Sequence, residues 1–184
     1  MPREPPPAVA AFEATVSYAP ELRDAAPTVV HGVRLGMAWG VSDELQIFAA
    51  YRFQFPFDEA NDLVDLTLSP HPFELGLGGR WAWGPWGLGV AAALVNDVLS
   101  WSATAKDETV RLGSPTWRWV VSLAPEVAFS WSPRPFLGLF LAVGADIPLN
   151  DGPLVVSTPE GPVGVVDSWP ARPWVRFGMD VRLF

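Results

Sequence analysis

From Glu44 to Phe57 the chain reads ELQIFAAYRFQFPF, with apolar side chains at Leu45, Ile47, Ala49, Tyr51, Phe53, Phe55 and Phe57. Glu44, Gln46, Arg52 and Gln54 put polar groups between them. A period of two belongs to a β-strand, whose successive side chains point to opposite faces. The same alternation recurs along the chain. Phe12 to Tyr18 sets Phe12, Ala14, Val16 and Tyr18 against Glu13, Thr15 and Ser17, and Val29 to Val41 sets Val33, Leu35, Met37 and Trp39 against Gly32, Arg34, Gly36 and Ala38. Phe73 to Trp83, Trp86 to Val95, Thr116 to Trp131, a segment led by Leu137, Leu139 and Leu141, and Pro173 to Phe184 complete a set of eight predicted strands.

The connections between these strands run long, short, long, short, long, short, long. Short links lie around Gly40 to Asp43, at Gly84 and Pro85, and at Ser132 to Pro135. That alternation predicts an all-β protein: an eight-stranded antiparallel up-and-down barrel with tight turns at one end and large loops at the other. Pro125, inside the sixth strand, predicts a bulge or local kink there. Residues 12–184 form the barrel domain in this reading, and residues 1–11, rich in proline, form a stiff N-terminal tail. Met1 leads into PREPPPAVA, which carries no apolar signal core, so an exported form is expected to have lost its targeting peptide.

Charge decides which face is wet. The polar faces of the strands hold Arg34, Arg52, Arg80, Arg118, Arg176 and Arg182 with Glu13, Glu44, Glu74, Glu126, Asp146 and Asp180, and these cancel. The long loops hold Glu21, Asp24, Asp58, Glu59, Asp62, Asp65, Asp97, Asp107, Glu108, Asp151, Glu160 and Asp167 against Arg23, Lys106, Arg111 and Arg172, which matches the net charge of −8. A soluble barrel covers its outside with Lys, Glu and Thr, yet this polar face is mostly Gly and Ala with balanced ions, and the chain has a single Lys. Small residues suit the narrow interior of an eight-stranded barrel. The large apolar face therefore turns outward to lipid, with Trp39, Tyr51, Phe55, Trp81, Trp83, Trp86, Trp117, Trp119 and Trp131 as an aromatic girdle. Closure into a barrel follows, because open sheet edges do not survive in hydrocarbon.

This layout resembles the small outer-membrane barrels of Gram-negative bacteria, the OmpA, OmpX and OmpW kind, over nearly the whole chain. The resemblance implies residence in the bacterial outer membrane. It also implies recognition of the C-terminal strand by the barrel-assembly machinery, with Phe184 as the terminal aromatic.

Candidate chemistry changes little in this picture. The net charge of −8 argues against nucleic acid, and the absence of Cys removes thiol chemistry, so no cofactor is expected. Asp58, Glu59, Asp62 and Asp65 are a candidate divalent-cation loop, although they lack the glycine turn of a dedicated calcium site. Gly76, Gly78 and Gly79 lie within a strand and supply packing space rather than a phosphate cradle. His31 and His71 stand far apart with no serine beside either. The leading expectation is a non-enzymatic barrel whose lumen is plugged by ion pairs and whose acidic loops serve a structural, adhesive or interaction role. The alternatives are a narrow channel for ions or small apolar solutes, a lipid-modifying barrel enzyme, and a soluble calycin-like barrel that binds a hydrophobic ligand.

Overall fold

The computed structural model describes residues 12–23, 28–42, 44–60, 62–112, 117–150, 152, 154–166 and 170–183. The N-terminal tail, Asp43, the strand start at Thr116 and the terminal Phe184 lie outside the described residues. Most of the period-two sequence becomes strand, although the stretch from Glu44 to Phe57 breaks at Phe55 and Pro56 and that from Val29 to Val41 breaks at His31. In chain order the first elements are β1 (Phe12–Tyr18), β2 (Glu21–Arg23), β3 (Thr28–Val30), β4 (Gly32–Gly40), β5 (Leu45–Gln54), β6 (Phe57–Ala60) and β7 (Val64–Ser69). There follow β8 (Pro72–Trp83), β9 (Trp86–Ala105), β10 (Trp117–Arg134), β11 (Leu137–Pro148), β12 (Leu154–Thr158), β13 (Gly161–Val166) and β14 (Arg172–Leu183).

Eight of these, β1, β4, β5, β8, β9, β10, β11 and β14, pair antiparallel with their neighbours, and β1 pairs with β14 from Phe12 with Leu183 to Tyr18 with Phe177. The sheet is therefore closed. Followed across the strands from Gln54 through Gly32, Ala19, Arg176, Ala142, Ala128, Gly89 and Arg80, the ladder returns to β5 at Glu44, ten residues from its start. With ordinary strand spacing, that stagger tilts the strands by roughly 40° to the barrel axis.

The facing is inside-out relative to a soluble barrel. Leu35, Leu75 and Leu141 on the outer wall are 56%, 60% and 52% exposed, whereas Arg52 on the inner wall is 1% exposed. The tight turns fall at Val41, Ser42 and Glu44, at Gly84 and Pro85, and at Pro135 and Phe136. Gly84 adopts a φ of 63°, a left-handed conformation that favours glycine. The third turn sits later than expected because β10 continues through Ser132 and Pro133 to Arg134.

Pro125 does not produce a register slip. β10 keeps one register against β9 through Ala124, Pro125 and Glu126, and its shift against β11 lies between Trp131 and Arg134. The ladder to β11 passes over Ala124 and Pro125 without inserting a residue, as suits a position with no N–H to donate.

The long connections are not plain loops. β9 runs ten residues past Val95, and β7 pairs with its far end from Val64 with Ala105 to Ser69 with Ser100. β6 pairs with β7, β2 pairs with β3 and touches β14, and β12 pairs with β13 in a separate two-stranded sheet. Arg111 bridges to Ser157 and ties the third long connection to this small sheet. Val64, Leu66, Val110 and Val156 form a buried cluster there, packed by Leu63, Trp101, Ala103 and Ala105. The loop end thus carries its own small apolar core above the barrel.

Candidate functional site

The inner wall gathers charge in two tiers. In the loop-side tier, Arg52 Nη1 lies 2.7 Å from Glu21 Oε2 and 3.0 Å from Asp146 Oδ2, and its Nη2 lies 2.7 Å from Glu74 Oε1. These acids come from β2, β8 and β11, so one guanidinium spans the bore. Glu74 also accepts from Arg34 Nε at 2.7 Å, and Arg176 lies 3.7 Å from it while pairing with Glu126. Arg23 Nε donates to Glu21 at 2.7 Å, and Arg23 Nη2 lies 3.5 Å from Asp97. Gln54 Nε2 donates to Glu21 at 2.7 Å, and Trp174 Nε1 donates to Asp146 Oδ1 at 2.8 Å. The guanidinium of Arg176 stands 4.5 Å from the centre of the Trp174 ring. Glycine makes this packing fit, because a Cβ at Gly144 would collide with the Trp174 ring.

At the turn side, Arg80 Nη1 lies 2.9 Å and Arg182 Nε 3.5 Å from the same Glu13 oxygen. Asp180 is buried on the same wall. Between the tiers the wall is small or aromatic, with Gly36, Gly89, Ala91, Ala128, Phe48 and Phe140, and a cavity of about 100 Å³ opens there.

Of the charged residues expected inside, Arg34, Arg52, Glu74, Glu126, Asp146 and Arg176 meet in the loop-side tier, and Glu13, Arg80 and Arg182 meet at the turn side. Arg118 is half-buried and donates to the carbonyl of Gly152 in a long connection. Glu44 is the correction: it lies exposed in the turn before β5, below the last lumen-facing residues, and does not join either tier. Glu21, Arg23, Asp97 and Arg172 were expected in solvated loops, yet all are buried. Their burial is charge-neutral, two acids with two arginines, so the acidic excess still lies in the loops. The alternation past Val95, with Asp97 two positions on, carried the signal for one of them.

The aromatic residues expected at the girdle all sit on the outer wall. Trp39, Trp81, Trp83, Trp86 and Trp131 cluster toward the turn end, where Trp86 and Trp131 lie 6.1 Å apart. Phe55, Trp117 and Trp119 are exposed toward the loop end, and Tyr51 lies below them. The two histidines are on the same outer wall and each meets a tyrosine: His31 Nδ1 is hydrogen-bonded to Tyr18, and His71 Nδ1 lies 3.1 Å from the Tyr51 hydroxyl. Among the described residues neither ring is hydrogen-bonded to a serine or an acid, although the backbone N–H of His71 donates to Asp97 Oδ1 at 2.8 Å. In the acidic connection two of the carboxylates take protein partners. Asp58 accepts from Thr67 at 2.6 Å, Asp65 pairs with Lys106 at 3.0 Å, and no metal-binding group of three His, Cys, Asp or Glu is found among the described residues.

A closed eight-stranded barrel, apolar outside and charged within, has counterparts among solved structures. The fold is that of the small outer-membrane β-barrels. The outer membrane protein OprG of Pseudomonas aeruginosa is similar, with a TM-score of 0.62 at 13% identity over 95% of this chain and 96% of that one. So is a major outer membrane protein of Thermus thermophilus, with a TM-score of 0.62 at 13% identity over 95% of this chain and 100% of that one. Neisserial surface protein A follows the same path, with a TM-score of 0.57 at 13% identity over 95% and 97% of the two chains. At these identities the likeness concerns the fold. No protein-family model and no curated protein matches the sequence.

Proposed function

We propose that this chain is an integral protein of the bacterial outer membrane. Its lumen is closed by ion pairs, it performs no catalysis, and its work is done by the loop-end cap in an adhesive, structural or partner-binding role. The observation that carries the reading is Arg52, buried and bonded at once to acids on β2, β8 and β11. A charge held that way blocks the bore, because freeing it strands buried carboxylates without a partner. The outward leucines and the tryptophans toward both ends support a lipid-facing band between two interfaces. Folding into it requires the barrel-assembly machinery, engaged through the C-terminal strand.

Planar-bilayer recording tests the closed lumen. The parent is expected to pass little current, and Glu126→Ala, which releases Arg176, is expected to pass more. Steady current through the parent, with a selectivity that changes in Glu126→Ala, replaces this reading with the narrow channel, which the turn-side cavity favours. A chain that stays monomeric in buffer without detergent removes the membrane reading altogether and returns the calycin-like barrel.

A further inference from the structure

We propose that the turn-side half of the lumen is a binding vestibule for a small organic cation of the ammonium or guanidinium type, anchored by Asp180. This goes beyond the function proposed above and does not depend on whether the lumen conducts. The anchor is defined by what the neighbouring charges leave over. Arg80 and Arg182 both turn to Glu13, Arg34 turns to Glu74, and Arg176 turns to Glu126, with its Nε and Nη1 left without a hydrogen bond beside the Trp174 ring on the loop side of the cavity. Asp180 is 3% exposed, lines the cavity, and its Oδ2 accepts no hydrogen bond among the described residues. A buried carboxylate oxygen in that condition is costly, and a cationic donor relieves the cost with a charge-assisted hydrogen bond.

The surroundings select the kind of cation. A dehydrated calcium or magnesium ion needs about six or more oxygen ligands. The wall near Asp180 offers one further carboxylate, Glu13, which already holds two arginines. An organic cation needs one anion and a shaped apolar wall, and the cavity of about 100 Å³ has room for one small planar cation. Phe48 already takes the guanidinium of Arg34 at 5.5 Å from its ring centre, so this wall tolerates a cation against an aromatic face. Phe140 and Thr15 line the same space. Backbone room is reserved for the carboxylate: a Cβ at Gly138 would sit 2.5 Å from its oxygens. Entry is from the turn end, where Arg80 and Arg182 keep 21% and 31% of their side chains exposed.

The test uses the folded protein in lipid nanodiscs, titrated with methylguanidinium and followed by NMR. Saturable shifts at the amides of Thr15, Gly138 and Asp180 are expected in the parent. Asp180→Asn is expected to bind about tenfold to a hundredfold more weakly, while Glu108→Gln, the same charge change in an exposed loop, binds as the parent does. If Asp180→Asn does not fold, the parent decides alone. No saturation, or shifts confined to the acidic loops around Asp58 and Glu59, overturns the proposal, as does an Asp180→Asn protein that binds like the parent.

Discussion

Arg52 and Glu74 meet diagonally across β5 and β8, Nη2 to Oε1 at 2.7 Å, and both are shut off from solvent. Glu74 also accepts from Arg34, so this one carboxylate holds two arginines. Its removal leaves both without their shared partner in a low-dielectric bore. Glu74→Ala is expected to cost about 3 to 5 kcal/mol in urea unfolding from lipid vesicles, the range for breaking a buried pair. Replacing Arg34 by Met as well restores charge balance and should recover part of that loss, a coupling that a double-mutant cycle measures. Additive losses would mean that the two side chains do not work as a pair.

Depth in the membrane sets the penalty on the outer wall. Val143 pairs with Val127 and Val175 near the middle of the apolar band, whereas Leu139 pairs with Trp131 at the turn-side aromatic cluster. Val143→Arg is expected to cost about 2 to 4 kcal/mol of folding free energy in bilayers, and Leu139→Arg only about 0 to 1, because the second can reach the headgroups. Equal costs at the two sites would contradict the placement of the band.

Barrel class, strand number and facing were legible because lipid and a narrow lumen impose opposite chemistries on alternate residues. Leu75 and Leu77 against Glu74 and Gly76 leave little choice of face. What was not legible came from long-range geometry. Glu21 and Arg23 read as loop because they lie between Pro20 and Pro27, yet β2 folds back against β14 at Trp174 and carries both into the bore. Trp174 has the same parity as Arg176 and Asp180, but a tryptophan near a strand end suggests a girdle until Gly144 is seen to make room for it. Glu44 has lumenal parity and misses both tiers because it lies beyond the end of the lumen-facing wall, a matter of strand stagger that no single segment records.

Outside the barrel, Asp107 accepts from the backbone N–H and from the hydroxyl of Thr109, each at 2.7 Å. The backbone bond first, then the hydroxyl, holds this carboxyl below its ordinary value. A carboxyl lowered by folding favours the ordered loop above the usual carboxylate range, and that contribution disappears as pH falls through the folded pKa. Thr109→Val removes the hydroxyl and keeps the backbone donor. Its Asp107 should titrate at a higher pH than in the parent, still below an unperturbed aspartate, in carboxyl-carbon NMR. An unmoved midpoint would show that the hydroxyl contributes nothing.

The cap stands or falls on a handful of apolar side chains. Leu66 is 4% exposed and packs with Val64, Val110 and Val156, a cluster drawn from three different long connections. Truncating a buried leucine costs about 2 to 5 kcal/mol, and a cluster of four buried residues has little reserve against such a loss. The barrel below is held by its own closed ladder, so the two parts should separate in their response. Leu66→Ala is expected to leave the folded, heat-shifted band on a gel unchanged while a protease cleaves the chain between Phe57 and Arg111 much faster than in the parent. Hydrogen exchange should show the same division, with β7 and the far end of β9 losing protection while β1 and β14 keep theirs. If the variant unfolded as a whole, or resisted protease as well as the parent, the cap would not be a unit of its own. Where the cap alone melts, a partner that binds it binds the parent and loses affinity for Leu66→Ala, even though every acidic residue of the loops is still present.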